Sequence, residues 1–296
     1  MIQNSWKIFS SDAPIIVQGM TGKEGVRMTK WLRQSGVRVV AGVTPGKGGQ
    51  IVEDCPIFNS VAEARAAFPG VELTSIVVPA ARVRGAAEEA LAAGIKYIQI
   101  LTESVPVHDV LVMRKQAALH GAVLLGPSSI GYLQFPAFRV GYIGGENPFQ
   151  ILKEGDVALV STSGGMINEL MMGLGRHEIG VRVALAVGGD RVPGMLLEEA
   201  LAFCDGLPNV KKLVVFSEPG RPFFHQLLQG NLTYAKPLIV FLVGDVLDDL
   251  PRGKAYGHTG TLLQEEEQSV AGLRTALRDK GIVCVASLGE LVQALQ

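Results

Sequence analysis

Cysteine is scarce in this chain of 296 residues, and its three copies, Cys55, Cys204 and Cys284, lie far apart. An odd number, with no Cys-x-x-Cys pair and no Cys/His cluster, excludes a disulfide framework and offers no structural zinc site. Cys204 and Cys284 sit inside apolar runs and read as core residues. An excess of one charge is also missing, since 27 Lys and Arg face 28 Asp and Glu for a net charge of -1. That balance gives no electrostatic case for a nucleic acid or a membrane surface as partner. No run approaches the roughly 20 apolar residues that span a bilayer. The start, Met1-Ile2-Gln3-Asn4-Ser5-Trp6-Lys7, has neither the basic beginning nor the apolar stretch of a signal peptide. The expected compartment is therefore the cytoplasm. Short repeats, low-complexity tracts and heptad arrays are absent too.

What is present is apolar material, 48% of residues against 19% charged. That is enough for substantial cores, and the length suits two domains. Short β-branched runs alternate with helical patterns. Strands are expected at Ile15-Val17, Val37-Ala41, Leu73-Val78, Tyr97-Leu101 and Ala122-Leu125, with helices near 23–35, 61–68, 81–93 and 106–119. Continuous apolar strands of this kind suit a parallel sheet covered on both faces. Residues 131–155 break the rhythm with Gly, Pro, Phe and Asn and no clear period. Alternation then resumes, with strands at Val157-Val160, Val181-Val187, Leu213-Phe216, Leu238-Leu242 and Ile282-Val285. Helical patterns fall near 165–176, 194–205, 221–230, 265–279 and 288–295. The expected fold class is α/β, two doubly wound domains at 1–131 and 156–296 joined by a linker at 132–155.

Gln18-Gly19-Met20-Thr21-Gly22-Lys23-Glu24-Gly25 follows the first strand and opens a helix. Glycine permits a tight turn and close approach of a ligand to the backbone. A helix N-terminus presents free N–H groups and a positive dipole end to a phosphate. Two readings are open here: an ordinary glycine-rich βα turn, or a nucleotide-type ligand site. The spacing is not the GxGxxG of dinucleotide enzymes. Strand two ends without the carboxylate that holds an NAD ribose, which argues against an NAD oxidoreductase. It leads instead into Val43-Thr44-Pro45-Gly46-Lys47-Gly48-Gly49. A lysine on a glycine-rich loop suits phosphate, yet no Ser or Thr follows it to hold magnesium, so this is not a P-loop.

Val160-Ser161-Thr162-Ser163-Gly164-Gly165-Met166 repeats the grammar of strand, small polar turn and helix. Ser161 and Ser163 are candidate caps, and Gly164-Gly165 clears space for an anion. A plain N-cap is the competing reading. Ala186-Val187-Gly188-Gly189-Asp190 ends the following strand. Ligands of open parallel sheets collect beyond the carboxyl ends of the strands, so these turns are expected at one edge.

Of the five histidines, His108, His120, His177 and His225 lie in or beside helical patterns and read as surface or packing residues. His258 stands in Gly253-Lys254-Ala255-Tyr256-Gly257-His258-Thr259-Gly260-Thr261, closely flanked by glycine. An imidazole with a reference pKa of about 6.5 is neutral at pH 7 and can attack phosphorus. Such a nucleophile needs a group to fix its tautomer. Glu218, in Ser217-Glu218-Pro219-Gly220 at a strand end, is the best-placed candidate. A loop histidine without a role is the alternative.

Taken together, these segments resemble the α subunit of succinyl-CoA synthetase (succinate–CoA ligase) and its relatives over nearly the whole chain. The resemblance rests on Gln18-Gly19 with Thr21-Gly22, Gly42-Val43-Thr44-Pro45-Gly46-Lys47-Gly48-Gly49, Thr102-Glu103, Gly126-Pro127, Ser163-Gly164, Gly188-Gly189-Asp190 with Pro193-Gly194, and Gly253-Lys254 with Gly257-His258. It implies an N-terminal Rossmann-like domain that binds coenzyme A and a flavodoxin-like second domain. Thr21, Gly22, Lys23, Glu24, Lys47, Leu101, Thr102 and Glu103 are then the expected coenzyme A contacts. Ser163, Gly164 and Gly165 are the expected phosphate cradle, and Asn168 stands at a substrate position. His258 is the expected phosphoryl carrier, held by Glu218. A separate β subunit of ATP-grasp fold is expected to supply ATP or GTP with Mg. No metal site is expected in this chain. The implied reaction joins CoA to succinate or a related di- or tricarboxylate, as in the tricarboxylic acid cycle.

The sequence departs from that family at named places. Ser128-Ser129-Ile130 replaces Asn-Cys-Pro, Thr162 and Asn168 replace Arg and Tyr, and Gly165 replaces Thr. Glu265-Glu266-Glu267-Gln268-Ser269 replaces a Gly-Gly-Lys-Gly-Thr stretch. The three carboxylates have two readings: repulsion of phosphate if they face the site, or a solvated helix start. The position of Asn168 belongs to the carboxylate-substrate region, so the expected acid is succinate or a related di- or tricarboxylate, with a CoA-binding regulatory or scaffold subunit as the alternative.

Overall fold

The computed structural model describes residues 12–136, 138–256, 261–262 and 269–296. The amino-terminal heptapeptide, His258 with Gly257 and Gly260, and the Glu265-Glu266-Glu267 run lie outside the described residues.

Among the described residues the first domain runs β1 (Ile15–Gln18), α1 (Lys23–Gln34), β2 (Val39–Val43), β3 (Ile51–Val52), β4 (Cys55–Phe58), α2 (Val61–Ala67), β5 (Leu73–Ile76), α3 (Ala80–Ala92), β6 (Tyr97–Ile100), α4 (Val107–Leu119) and β7 (Val123–Leu125). Its strands lie in the order β3-β4-β2-β1-β5-β6-β7, and each neighbouring pair is parallel except β3 with β4. Both faces of the sheet are covered. Ile15 and Val17 point into one core with Met28 and Leu32 of α1. Ile16 points the other way, into a core with Ala64 of α2, Ala87 of α3 and Met113 of α4. That two-sided burial is why β1 is apolar throughout rather than alternating.

The second domain continues with β8 (Gly131–Gln134), β9 (Phe138–Gly141), β10 (Val157–Ser161), α5 (Gly164–Arg176), β11 (Val181–Ala186), α6 (Leu197–Asp205), β12 (Lys212–Phe216), α7 (Pro222–Leu228), β13 (Leu238–Phe241), β14 (Ala255–Tyr256), β15 (Thr261–Leu262), α8 (Val270–Asp279), β16 (Val283–Val285) and α9 (Leu288–Leu295). The strand order is β16-β13-β12-β10-β11-β8-β9, with β14 and β15 paired separately. Taking parallel strands in chain order, the first sheet reads 3-2-1-4-5-6 and the second 2-1-3-4-5. These are the Rossmann-like and flavodoxin-like doubly wound orders. The expected α/β class is therefore the observed one.

The structure adds one element to those expected and corrects others. The β3–β4 ribbon escapes the sequence pattern because its strands are very short and Pro56 interrupts one of them. The stretch 132–155, expected as a linker, instead holds the hairpin β8–β9, which pairs antiparallel with the edge of β11. Its glycines looked like breakers but are crossing points. Gly131 faces Gly141 in the ladder, and a Cβ on either would strike the opposite backbone, Val140 O at 1.8 Å or Ile130 O at 2.3 Å. α8 begins at Val270 with Ser269 as its cap, after the acidic run.

Two buried polar systems tie the domains together. Ser75 Oγ donates to Gln99 Oε1 at 2.6 Å, Gln99 Nε2 to the Ser129 carbonyl at 2.7 Å, and Ser129 Oγ to the Ala186 carbonyl of β11 at 2.5 Å. These three side chains are buried. Arg139 of β9 is fully buried as well. Its guanidinium donates to the Trp31 carbonyl of α1 at 2.5 Å, to the carbonyls of Ile143 and Glu146 at 3.2 Å, and to that of Gly145. Burial pulls its pKa down to about 10, so it keeps its charge at neutral pH.

The three cysteines are free and buried. No helix among the described residues is long and apolar enough to cross a membrane.

Gln99→Leu is expected to lower the unfolding free energy by about 2–4 kcal/mol, because it strands the Ser75 hydroxyl and the Ser129 carbonyl; urea titration measures it. Burial also pushes the Cys204 thiol from about 9 up to about 12. The folded state keeps that proton where the unfolded chain loses it, so stability complete below pH 9 is lost as pH rises toward 12. Urea midpoints between pH 8 and 10.5 should fall less steeply in Cys204→Ala than in the parent.

Candidate active site

In doubly wound sheets the ligand crevice opens where strand order reverses. Here the reversals lie between β1 and β5 in the first sheet and between β10 and β12 in the second. The turns leaving β1 and β10 open on one shared cleft of about 780 Å³, a size typical of small-molecule sites.

The turn after β1 is set by close packing. Gly19 has φ +85°, and a Cβ there would lie 2.4 Å from the Val77 carbonyl oxygen. Gly25 brings α1 against the same turn, where a Cβ would lie 2.3 Å from the Gly19 carbonyl oxygen. α1 starts at Gly22 without a side-chain cap, which leaves its first N–H groups for a ligand. Lys23, Glu24 and Arg27 continue from this start along the cleft wall. Leu101, Thr102 and Glu103, after β6, line it too. Thr102 Oγ1 donates to the Val78 carbonyl at 2.6 Å, binding the loops after β6 and β5 together. Ser104 and Ser128 hold left-handed backbone, φ +59° and +57°, beside this wall. Non-glycine residues in that conformation tend to cluster at ligand sites.

On the opposite side Ser163 caps α5, its Oγ accepting from Met166 N at 3.3 Å. Ser161 does not cap the helix; its Oγ accepts from Ser163 N at 2.9 Å and so shapes the turn. Thr162 to Gly165 face the cleft. Gly164 is packed, since a Cβ would meet Ile130 at 2.8 Å, whereas Gly165 has open space around that position. Thr162 Oγ1 donates to Glu218 Oε2 at 2.6 Å across the reversal between β10 and β12. Arg221 Nη2 lies 3.9 Å from the same oxygen.

Of the residues proposed from sequence, the cleft gathers Gly22, Lys23, Glu24, Leu101, Thr102, Glu103, Ser163, Gly164 and Gly165. Glu218 sits one hydrogen bond behind it. Thr21, Lys47 and Asn168 are not on its wall. Thr21 Oγ1 instead donates to Thr44 Oγ1 at 3.3 Å. Lys47 is exposed on a turn held by Asn59 Oδ1, which accepts from Gly46 N and Gly48 N at 3.0 Å. Asn168 Oδ1 accepts from Gly144 N at 2.8 Å. His258 lies outside the described residues.

Sequence reasoning missed Arg27 and Tyr142. Arg27 lies one helical turn beyond Lys23, a spacing that places both on one face. Tyr142 has no such signal, because its contacts span 118 residues. It donates to the Glu24 carbonyl at 2.5 Å, and Glu24 Oε2 is 3.0 Å away. Burial is the main reason its hydroxyl is pushed up to about 12. The Arg27 guanidinium sits 5.0 Å from the Tyr142 ring centre and 5.5 Å from that of Trp31, and 2.5 Å from Glu24 Oε2.

Comparison with known proteins adds family information. Residues 10–104 match the CoA binding domain, and residues 154–296 match the succinyl-CoA ligase like flavodoxin domain. The chain is 31% identical over 275 residues to a subunit of the ADP-forming sulfoacetate-CoA ligase of Bilophila wadsworthia, covering 91% of each. It is 31% identical over 291 residues to the α subunit of the ADP-forming succinate–CoA ligase of Aquifex aeolicus, covering 96% of this chain and 93% of that one. The ATP citrate lyase of Methanothrix soehngenii, solved with citrate and coenzyme A, shares the fold with a TM-score of 0.84 at 23% identity. The match takes in 97% of this chain but only 50% of that longer one.

The two glycine environments separate folding from binding. Gly25→Ala is expected to cost about 3 kcal/mol, because its Cβ meets backbone that cannot move aside. Gly165→Ala is expected to keep or slightly raise the melting temperature, while weakening binding of inorganic phosphate or of a ligand in the cleft. Thermal melts and calorimetric titration of both variants check this contrast.

Proposed function

Because the chain belongs to the succinate–CoA ligase α-subunit family, we propose that it is the α-type subunit of an NDP-forming acyl-CoA ligase. In this reading it joins coenzyme A to a small acid, with a β subunit of ATP-grasp fold supplying ATP or GTP and Mg. The observation that carries the proposal is the shared cleft between the two strand reversals. One wall suits a phosphorylated thiol carrier: a helix start at Gly22 with no side-chain cap, and Lys23 beside it. The other wall suits an inorganic or acyl phosphate at the start of α5.

The reaction divides into steps that balance. Phosphate oxygen attacks the thioester carbonyl, giving acyl phosphate and free thiol. The His258 imidazole then attacks phosphorus, releasing the carboxylate. Phosphohistidine finally passes its phosphoryl group to a nucleoside diphosphate on the partner, and the reverse order makes the thioester. A relay of this kind lets two distant sites share one group, with positioning and charge stabilisation doing most of the catalysis. Glu218 would orient the imidazole and stabilise its charge. Thr162, bonded to that carboxylate, fixes the direction it faces.

The acid is proposed to be small and anionic: succinate, malate, citrate or, as in the name of one relative, sulfoacetate. A second reading, a CoA-binding regulatory or scaffold subunit without turnover, draws on Asn168, whose side chain is engaged by Gly144 rather than facing the cleft.

The test combines the chain with its ATP-grasp partner, radiolabelled ATP or GTP with Mg, CoA and this panel of acids. One acid should consume free thiol at least tenfold faster than the others, and acid-labile, base-stable label should appear on the chain and vanish in His258→Ala. CoA binding without any label, unchanged in His258→Ala, would establish the regulatory reading instead.

A further inference from the structure

Among the described residues, the charged side chains on the cleft wall come from the first domain: Lys23, Glu24, Arg27 and Glu103. Among the same described residues, the second domain lines it with neutral groups, Tyr142, Thr162, Ser163, Gly164, Gly165 and Gly189. Directly behind that neutral wall lies a cation, Arg221, the residue that precedes α7. Its side chain is only 18% exposed, and that of Glu218 19%. It is held in place by backbone: Nη2 donates to the Gly189 carbonyl at 3.0 Å and Nη1 to the Asp190 carbonyl at 3.3 Å. The same Nη2 stands 3.9 Å from Glu218 Oε2, the oxygen that accepts from Thr162. Arg221 therefore links the loops that follow β10, β11 and β12, with the Glu218 carboxylate 3.9 Å from its Nη2.

We infer that Arg221 is a positioning residue for phosphoryl transfer, holding Glu218 in place and offsetting its charge while a phosphoryl group passes beside it; this rests on the function proposed above. A phosphoryl group carries close to two negative charges at pH 7. Beside a bare, half-buried carboxylate it would meet like-charge repulsion in a region where screening by water is weak. The guanidinium, 3.9 Å away, offsets part of that charge without occupying the cleft. Pinned by two carbonyls, it cannot swing forward to trap the phosphate, which suits a group that must move on. Its role is to act through Glu218, not to touch the phosphoryl group.

The experiment measures single-turnover labelling of the chain by radiolabelled ATP-Mg and GTP-Mg, in complex with its ATP-grasp partner, together with CoA affinity by calorimetry. Arg221→Gln should slow labelling about tenfold or more, with the KM for the labelling nucleotide and the Kd for CoA within twofold of the parent. Arg221→Lys should recover part of the rate by restoring charge. The double variant Glu218→Gln with Arg221→Gln should be no slower than Glu218→Gln alone. If Arg221→Gln fails to fold, Arg221→Lys alone and combined with Glu218→Gln completes the same cycle. Parent-like labelling in the Arg221 variants overturns the inference, as does a double variant slowed by the product of the two single effects. Absence of label in the parent complex overturns the functional reading itself, and the inference with it.

Discussion

A chain of buried hydrogen bonds crosses from one sheet to the other, from Ser75 through Gln99 and Ser129 to the Ala186 carbonyl. Each of these groups has given up water, so each link must be kept once its neighbour is made. Gln99 stands on β6 and Ala186 at the end of β11, so the chain sets the carboxyl edge of one sheet against that of the other. A cleft between two strand reversals exists only while that relation holds. The glycine turns, the helix starts and Thr162 are useful in concert because the buried links hold their two scaffolds in register.

Charge in the cleft is divided between the domains. The first domain offers side-chain ions at the wall, and the second offers helix N–H groups with its ion pair set behind. Side-chain cations can hold a multiply charged ligand for long periods. Dipoles and neutral donors hold an anion more weakly and let it leave. The arrangement suits one ligand that stays through several steps and one group that is handed on.

Much of this was legible in the sequence, for physical reasons. Apolar strands covered on both faces and glycine turns at strand ends are local features, and they point to the class, most elements and the two turns of the cleft wall, whereas Leu101, Thr102 and Glu103 come from the family resemblance alone. The hairpin β8–β9 was not legible, because Gly131 and Gly141 break any local pattern while serving a cross-strand contact. Tyr142 and Arg139 were hidden for a related reason. Their partners, Glu24 and Trp31, lie more than a hundred residues away, and nothing nearby in sequence marks them. Arg27 and Arg221 were different: each sits within one helical turn's spacing of a residue already singled out, Lys23 and Glu218. Asn168 was placed by family pattern, but its neighbour in space is the hairpin turn at Gly144.

Arg139 bears on how such a chain can be divided. It leaves a strand of the second sheet, yet its charge is spent on the end of α1 in the first domain. A cut placed between the two domains would take one of four carbonyl partners from a buried guanidinium and leave the Trp31 carbonyl bare. The fold shared with half of the longer ATP citrate lyase chain takes in both domains together.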